Sequence, residues 1–304
     1  MILKNLIEVI EILESSEPIV KVREKVRGAD FIEYEEIERG DGKVTFLRAL
    51  VKGRKGNRRI EILGRLGAIQ MRSKYKGLVS DADGAIVALT VLFELIDLKR
   101  KGIEFDADVS IVTNIALDAK LIPHKPFDFM VPPIGLDEAL QIEVDPKAEL
   151  ILSIDSTKGN ILAKYNDFAL THVVKEGYIL KLSDEVIEIY NRVTGHEVYL
   201  VALTTGDLTP IEFPIYHIST IISPWLYTTS PVIGIATTSR QVIPGYVTGV
   251  QDIMMLNNAS RFCIEMIKFF DMGGKVYDDK ELEELKKRIG ESNLMRLWKR
   301  SSIS

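Results

Sequence analysis

The stretch Gly77 to Leu98, GLVSDADGAIVALTVLFELIDL, restricts the fold more than any other part of the chain. Leu78 and Val79 read as an extended entry and Ser80 to Gly84 as a turn, after which Ala85 to Arg100 holds neither glycine nor proline. This predicts a helix opened by Ser80 and Asp81, residue types that cap helix N-termini and suit the positive end of the aligned peptide dipoles. Ile86, Val87, Leu89, Val91, Leu92, Phe93, Leu95 and Ile96 make that helix apolar nearly all round, which places it in an interior. Two carboxylates, Asp81 and Asp83, therefore stand at the mouth of a buried helix. Capping is one account of them; binding a metal or accepting a proton is the other.

A buried helix needs a core around it, and 304 residues at 46% hydrophobic supply one large domain or two modest ones. The formal net charge of -5 gives no basic field for nucleic acid or an anionic membrane, so neither is expected as a partner. The single cysteine, Cys263, lies in a helical pattern and forms no internal disulfide, as expected of a small core residue in a reducing, cytoplasmic setting. The N-terminal run MILKNLIEVIEILESSE carries glutamates among its apolar residues and reads as a helix, not a signal peptide. No apolar run reaches membrane-spanning length.

In chain order, Leu3 to Leu13 repeats apolar residues at helical spacing and a polar segment runs from Lys21 to Glu38. A hairpin-like unit follows: Val44 to Val51, a basic turn with Lys52, Arg54, Lys55, Arg58 and Arg59, and a strand from Arg59 to Gly64. No aromatic residue is interleaved in that turn for base stacking, which favours a solvated tip. Strands are expected at Asp108 to Thr113, Leu150 to Ile154, Val198 to Leu203 and Pro231 to Thr237, and helices at Ser183 to Val193 and Val250 to Phe270. Asn114 to Pro133, with His124, reads as an irregular loop, and Asp278 to Arg300 as a charged helix pair. Alternating strands and helices predict an α/β fold, a three-layer sandwich of a mixed, mostly parallel sheet with helices on both faces. Residues 1–57 are expected to integrate with a main domain at 58–272, with 273–304 appended. Ligands of such sheets bind beyond the carboxyl ends of the strands. Asp81, Asp155 and Asp207 each follow or interrupt an apolar run at that end, so they are expected to share a site, although a lone strand-end aspartate is commonly a turn residue.

The series RIEILGRLG, SDADGAIVALTVLFEL, DVSIVT, ILSIDSTKGN, TTGDLTPIEF and PVIGIATTSRQVIPG resembles the metal-dependent exopeptidases, the two-metal aminopeptidases and their aminoacylase-like relatives. The phrases GLVSDADGAI, SIDSTKGN and KEGYIL look closer still to a conserved-domain family of bacterial and archaeal proteins of unassigned function. The likeness implies a phosphorylase/hydrolase-like, zinc-exopeptidase-like architecture. It matches Asp81 to the bridging aspartate and Asp155 to an aspartate on one metal, and so implies a divalent zinc, cobalt or manganese ion held by those two residues. The other ligands depart from the pattern. Arg65 stands for the first histidine, Gly67 for its aspartate partner, and Pro244, Gly245 and Tyr246 for the last histidine, while the glutamate pair is missing beside Thr113 and Asn114.

Two functions follow as expectations. The first is an atypical amide or peptide hydrolase with a remodelled centre, in which Asp81 and Asp155 are catalytic and Arg65, Asp83, Asn114 and Asp207 contact substrate. The second is a non-catalytic binding protein for an amino acid, peptide or small carboxylate. His124, His172 and His217 are further candidates to complete a metal site, and the run Ile221 to Tyr227 is either an interface of a homo-oligomer or a buried segment.

Overall fold

The computed structural model of the chain describes residues 2–40, 42–65, 77–123, 125, 128–210 and 213–294. At its centre four strands run parallel and side by side: β4 (Asp108–Ala116), β3 (Arg59–Gly64), β7 (Leu150–Ser156) and β11 (Val232–Thr237). Antiparallel strands extend this core on both sides, β1 (Phe31–Arg39) and β2 (Gly42–Val51) beyond β4, and β9 (Val173–Lys175) and β10 (Tyr178–Leu180) beyond β11. The short β8 (Ala169–Leu170) also pairs with β11, giving a sheet of nine strands among the described residues. Two small strands, β5 (Lys120–Ile122) and β6 (Phe129–Val131), pair apart from it.

The central strands are covered on both faces, which is why their sequences are near-continuous apolar runs. Ile60, Ile62, Leu152, Ile154, Ile233 and Ile235 point into the larger core, formed with α1 (Ile2–Leu13), α3 (Asp83–Arg100), α5 (Asp184–Thr194) and α6 (Ile253–Asp271). Their neighbours Leu63, Ile151, Val232 and Ala236 face the other way, against α4 (Leu136–Glu143) and the single-turn helix Ser223–Tyr227 that buries Trp225. The result is the expected α/β sandwich, a mixed sheet between helices. Among the described residues no helix is long and apolar enough to cross a membrane.

Several local expectations change. β2 and β3 are not a hairpin: β4 lies between them, and β2 turns back onto β1 instead. The polar segment Lys21 to Glu38 holds the end of α2 (Pro18–Lys25) and most of β1, an edge strand whose charged residues face solvent. Val198 to Leu203 is not a strand; it contributes one bridge, Leu200 to Leu170. The region expected to be irregular contains the end of β4 and the β5 and β6 pair, and α4 follows it. The run Ile221 to Tyr227 is mostly interior, with Ile221, Ile222 and Trp225 buried, which fits the expected alternative of a buried segment. Of the charged C-terminal segment, α7 (Asp279–Ile289) is present, whereas Leu297 and Trp298 lie outside the described residues, as do Gly67 and His124. Four of the five cations of the basic turn pair within the chain: Arg54 and Lys55 with Asp106, Arg58 with Glu149, and Arg59 with Asp108 and Asp145.

Candidate active site

The carboxyl ends of β3 and β7 lie side by side, and the chain leaves them through Arg65 and Asp155. The amide of Arg65 still donates to the Ile154 carbonyl at 2.8 Å, so the two residues keep strand register. The N-terminus of α3 is pressed onto this pair of strand ends. A Cβ on Gly84 would lie 2.1 Å from the Arg65 carbonyl oxygen and 2.8 Å from that of Ile154, an approach only glycine permits.

The helix does not begin as its sequence suggests. Ser80 to Ala82 form a 3-10 turn and α3 starts at Asp83; neither Ser80 nor Asp81 caps it with a side-chain hydrogen bond. The Ser80 hydroxyl donates instead to the Pro244 carbonyl at 3.0 Å, and the Asp81 amide donates to the Gly245 carbonyl at 3.2 Å. The segment around Gly245 thus lies against Asp81, so close that a Cβ on Gly245 would sit 2.5 Å from Asp81 Oδ2.

Asp81 and Asp155 keep part of their surface open to solvent and act on each other through space. Burial among packed atoms pushes Asp81 up to about 7, with Asp155 and Asp83 adding to the rise and Lys158 opposing it. Burial likewise raises Asp155 to about 6, against the pull of the Arg65 guanidinium. Asp83 is different: it has no exposed surface, and its Oδ2 lies 2.5 Å from Nζ of Lys158, itself 1% exposed. Burial raises the Asp83 carboxyl, and the Lys158 charge works against it.

Behind Asp155 the cluster continues into the protein. Arg65, also buried, donates through Nη1 to the Thr220 carbonyl, and its charge reaches Glu143 as well as Asp155. Glu143, at the end of α4, accepts a hydrogen bond from Asn114 on β4 and is pushed by burial up to about 7. Glu61, on β3, has no exposed surface; it accepts the Asp145 amide and is raised by burial to about 8.

The structure therefore brings Asp81, Asp83, Asp155 and Arg65 into one electrostatic cluster, with Asn114 attached to it through Glu143. Three residues expected to contact substrate have partners within the chain. Asp83 is sealed against Lys158, Asn114 is committed to Glu143, and Asp207 is enclosed in its own loop. There it accepts from the Thr204 amide and hydroxyl and from the amides of Ile218 and Ser219. The backbone from Ile218 and Ser219, which Asp207 holds, leads to Thr220, whose carbonyl accepts from Arg65.

Two further members of the cluster are not among the expected site residues, and only the first carries a signal in the sequence. Glu143 continues the stripe Leu136, Ala139, Leu140 at helical spacing, a charged residue where the apolar face of α4 calls for another buried one. Lys158 follows β7 within a turn, and nothing local marks its burial; lysine is buried this completely only when paired.

The two-metal centre implied by the exopeptidase likeness does not fit this donor set. Zinc and cobalt favour nitrogen or sulfur ligands, and two metals need about four to six protein ligands between them. Here the accessible donors are the oxygens of Asp81 and Asp155, and two basic side chains, Arg65 and Lys158, already face them. His217 is occupied by Thr209 and the Ile215 carbonyl. Among the described residues, no three His, Cys, Asp or Glu side chains come together as metal ligands would.

Against known proteins, the family described as "Protein of unknown function (DUF1177)" matches residues 35–299. No curated protein matches the chain by sequence. Among solved structures, the chain is similar in fold to the LapA aminopeptidase of Legionella pneumophila (TM-score 0.54, 10% identity, covering 90% of this chain and 71% of that one). It is similar also to the bottromycin maturation enzyme BotP (TM-score 0.51, 11% identity, 86% and 69% covered). A third is the cytosol aminopeptidase of Coxiella burnetii (TM-score 0.51, 11% identity, 86% and 67% covered). The likeness is one of fold, at 10% to 11% sequence identity.

Proposed function

We propose, for a chain that belongs to the DUF1177 family, an atypical amide or peptide hydrolase in which Asp81 and Asp155 work as a proton-sharing carboxylate pair. The observation that carries this reading is the placement of two part-open carboxylates, from different elements, beside the carboxyl ends of two parallel strands, where burial raises both. Two such groups do not ionise independently: the first charge opposes the second, and between the two ionisations one holds a proton while the other is free to take one. The ionised partner draws a proton from water as it attacks the amide carbon, and the protonated partner gives its proton to the leaving nitrogen. Arg65 and Lys158 bias the pair from behind without entering the exchange. The aminopeptidase-like fold supports a peptide or acyl-amino-acid substrate, and the buried thiol of Cys263 suits a reducing compartment such as the cytoplasm.

A second reading, a binding protein that retains the cleft without turnover, is favoured by Arg65. Its side chain is buried and its Nη1 donates to the Thr220 carbonyl, which turns part of its donor set away from a developing oxyanion. A panel of aminoacyl amides and N-acyl amino acids separates the two. Turnover that falls about 100-fold or more in both Asp81→Asn and Asp155→Asn supports the hydrolase. Saturable binding without product supports the second reading, and full turnover by both variants removes the pair from the chemistry.

A further inference from the structure

We infer that Lys158 and Asp83 form a covalent modification site, at which the lysine amine and the aspartate carboxyl condense to an isopeptide bond that ties the start of α3 to the turn after β7. Nζ of Lys158 stands 2.5 Å from Asp83 Oδ2, the lysine is 1% exposed and the aspartate has no exposed surface. One carbon–oxygen bond adds about 1.2 Å, so the nitrogen lies at most about 3.7 Å from the carboxyl carbon, close to the roughly 3 to 3.5 Å of atoms poised to combine. Among the described residues neither Asp83 oxygen nor Lys158 Nζ has a hydrogen-bond partner of good geometry. The amine therefore meets the carboxyl off the line a hydrogen bond takes, and the two are held together by charge and enclosure.

Two ions this far from water are costly, and the cost is recovered only through each other. Condensation removes both charges, whereas in bulk water the hydration of the ions opposes it. Burial already pushes the Asp83 carboxyl towards its protonated form, against the Lys158 charge. The step balances within the pair. A proton passes from Nζ to Oδ2, which leaves an amine and a carboxylic acid. The amine lone pair forms the nitrogen–carbon bond, the carbon–oxygen bond breaks as the departing oxygen takes a second proton from Nζ, and the products are a secondary amide and one water. The backbone on both sides keeps the two ends in place. Gly84 packs against the Arg65 and Ile154 carbonyls, the Lys158 carbonyl accepts the Ile243 amide at 3.0 Å, and the Thr157 amide donates to the Thr237 carbonyl at 2.9 Å. The reaction involves neither Asp81 nor Asp155 and is independent of any turnover at the candidate site.

The test is the intact mass of the purified chain under denaturing conditions, taken fresh and after prolonged warming below the unfolding midpoint, with tandem mass spectrometry of a digest. Wild type is expected one water lighter than its sequence requires, with a branched peptide that joins the segment of Asp83 to the segment of Lys158. Lys158→Arg and Lys158→Met are expected at full mass and without the branched peptide, because a guanidinium and a thioether offer no amine. A wild type that keeps its full mass after warming overturns the inference. So does a loss of water that persists in Lys158→Met, which would place a succinimide at Asp83 and Gly84 instead. Should both variants be recovered only unfolded, the wild-type digest decides: a branched peptide sequenced through the Lys158 and Asp83 side chains supports the inference, and its absence overturns it.

Discussion

Asp81 and Asp83 are two residues apart and have opposite situations, one part-open beside Asp155 and the other enclosed against Lys158. On the proposed reading, that difference suits Asp81 and not Asp83 to the proton chemistry. If the pair works with one shared proton, activity should follow a bell, rising as the first carboxyl ionises near about 6 and falling as the second does near about 7. The kcat/KM profile of wild type checks this. In Asp155→Asn, any residual activity should keep a single limb, and a bell of unchanged width there would show that another pair of groups titrates. Gly245 supports the same residue. A Cβ 2.5 Å from Asp81 Oδ2 forces the carboxylate or the loop to move, so Gly245→Ala should lower kcat by about tenfold or more, the usual sensitivity to a misplaced catalytic group. It should leave the unfolding midpoint nearly unchanged. A variant with full kcat would mean that Asp81 need not stay where it is.

Among the elements, α3 positions the site, and its contact with β3 and β7 runs through Gly84. Gly84→Ala brings a methyl 2.1 Å from the Arg65 carbonyl, where only backbone can yield. Overpacking of this kind costs about 2 kcal/mol or more, which denaturant unfolding would show as a lower midpoint. An unchanged midpoint would mean that α3 has room to slide. The same helix shows what a sequence discloses and what it withholds. Its burial was legible from an apolar run with no polar face, and the strands at Asp108 and Leu150 from their bounded apolar stretches. Asp81 and Asp155 were legible because each stands where such a run ends. Sheet order was not: β2 and β3 adjoin in sequence, yet β4, which is 44 residues after β3, inserts between them, and no local pattern encodes that. Val198 to Leu203 had a strand's composition without a neighbour able to pair along its length. Lys158 was illegible for a related reason, since a buried charge becomes intelligible only with its distant partner.

For the molecule as a whole, the buried acids set how stability depends on pH. Burial raises Glu61 to about 8, Asp81 and Glu143 to about 7, and Asp155 to about 6, all above the range of an unfolded carboxyl. Over the interval from about 4 to those values the folded chain binds more protons than the unfolded one, so stability falls as pH rises through it. The surface and part-buried acids Asp30, Asp106, Asp145 and Asp279 behave oppositely. Cationic partners or backbone donors hold them below the ordinary range, and their contribution is present above about 4 and is lost on acidification. The two sets together place the maximum of stability near about pH 5, which thermal unfolding from pH 3 to 9 would locate. Glu61 is the decisive residue because its value is the highest, with the Asp145 amide donating to its oxygens and Arg48 opposing the rise only through space. Glu61→Gln keeps the shape and one acceptor while removing the ionisation. Its midpoint should match or fall slightly below wild type at about pH 5 and exceed it above about pH 8, where wild type carries an enclosed charge. A wild-type midpoint that climbs from pH 5 to 8 would instead mean that Glu61 is ionised throughout and has a counter-ion inside the fold.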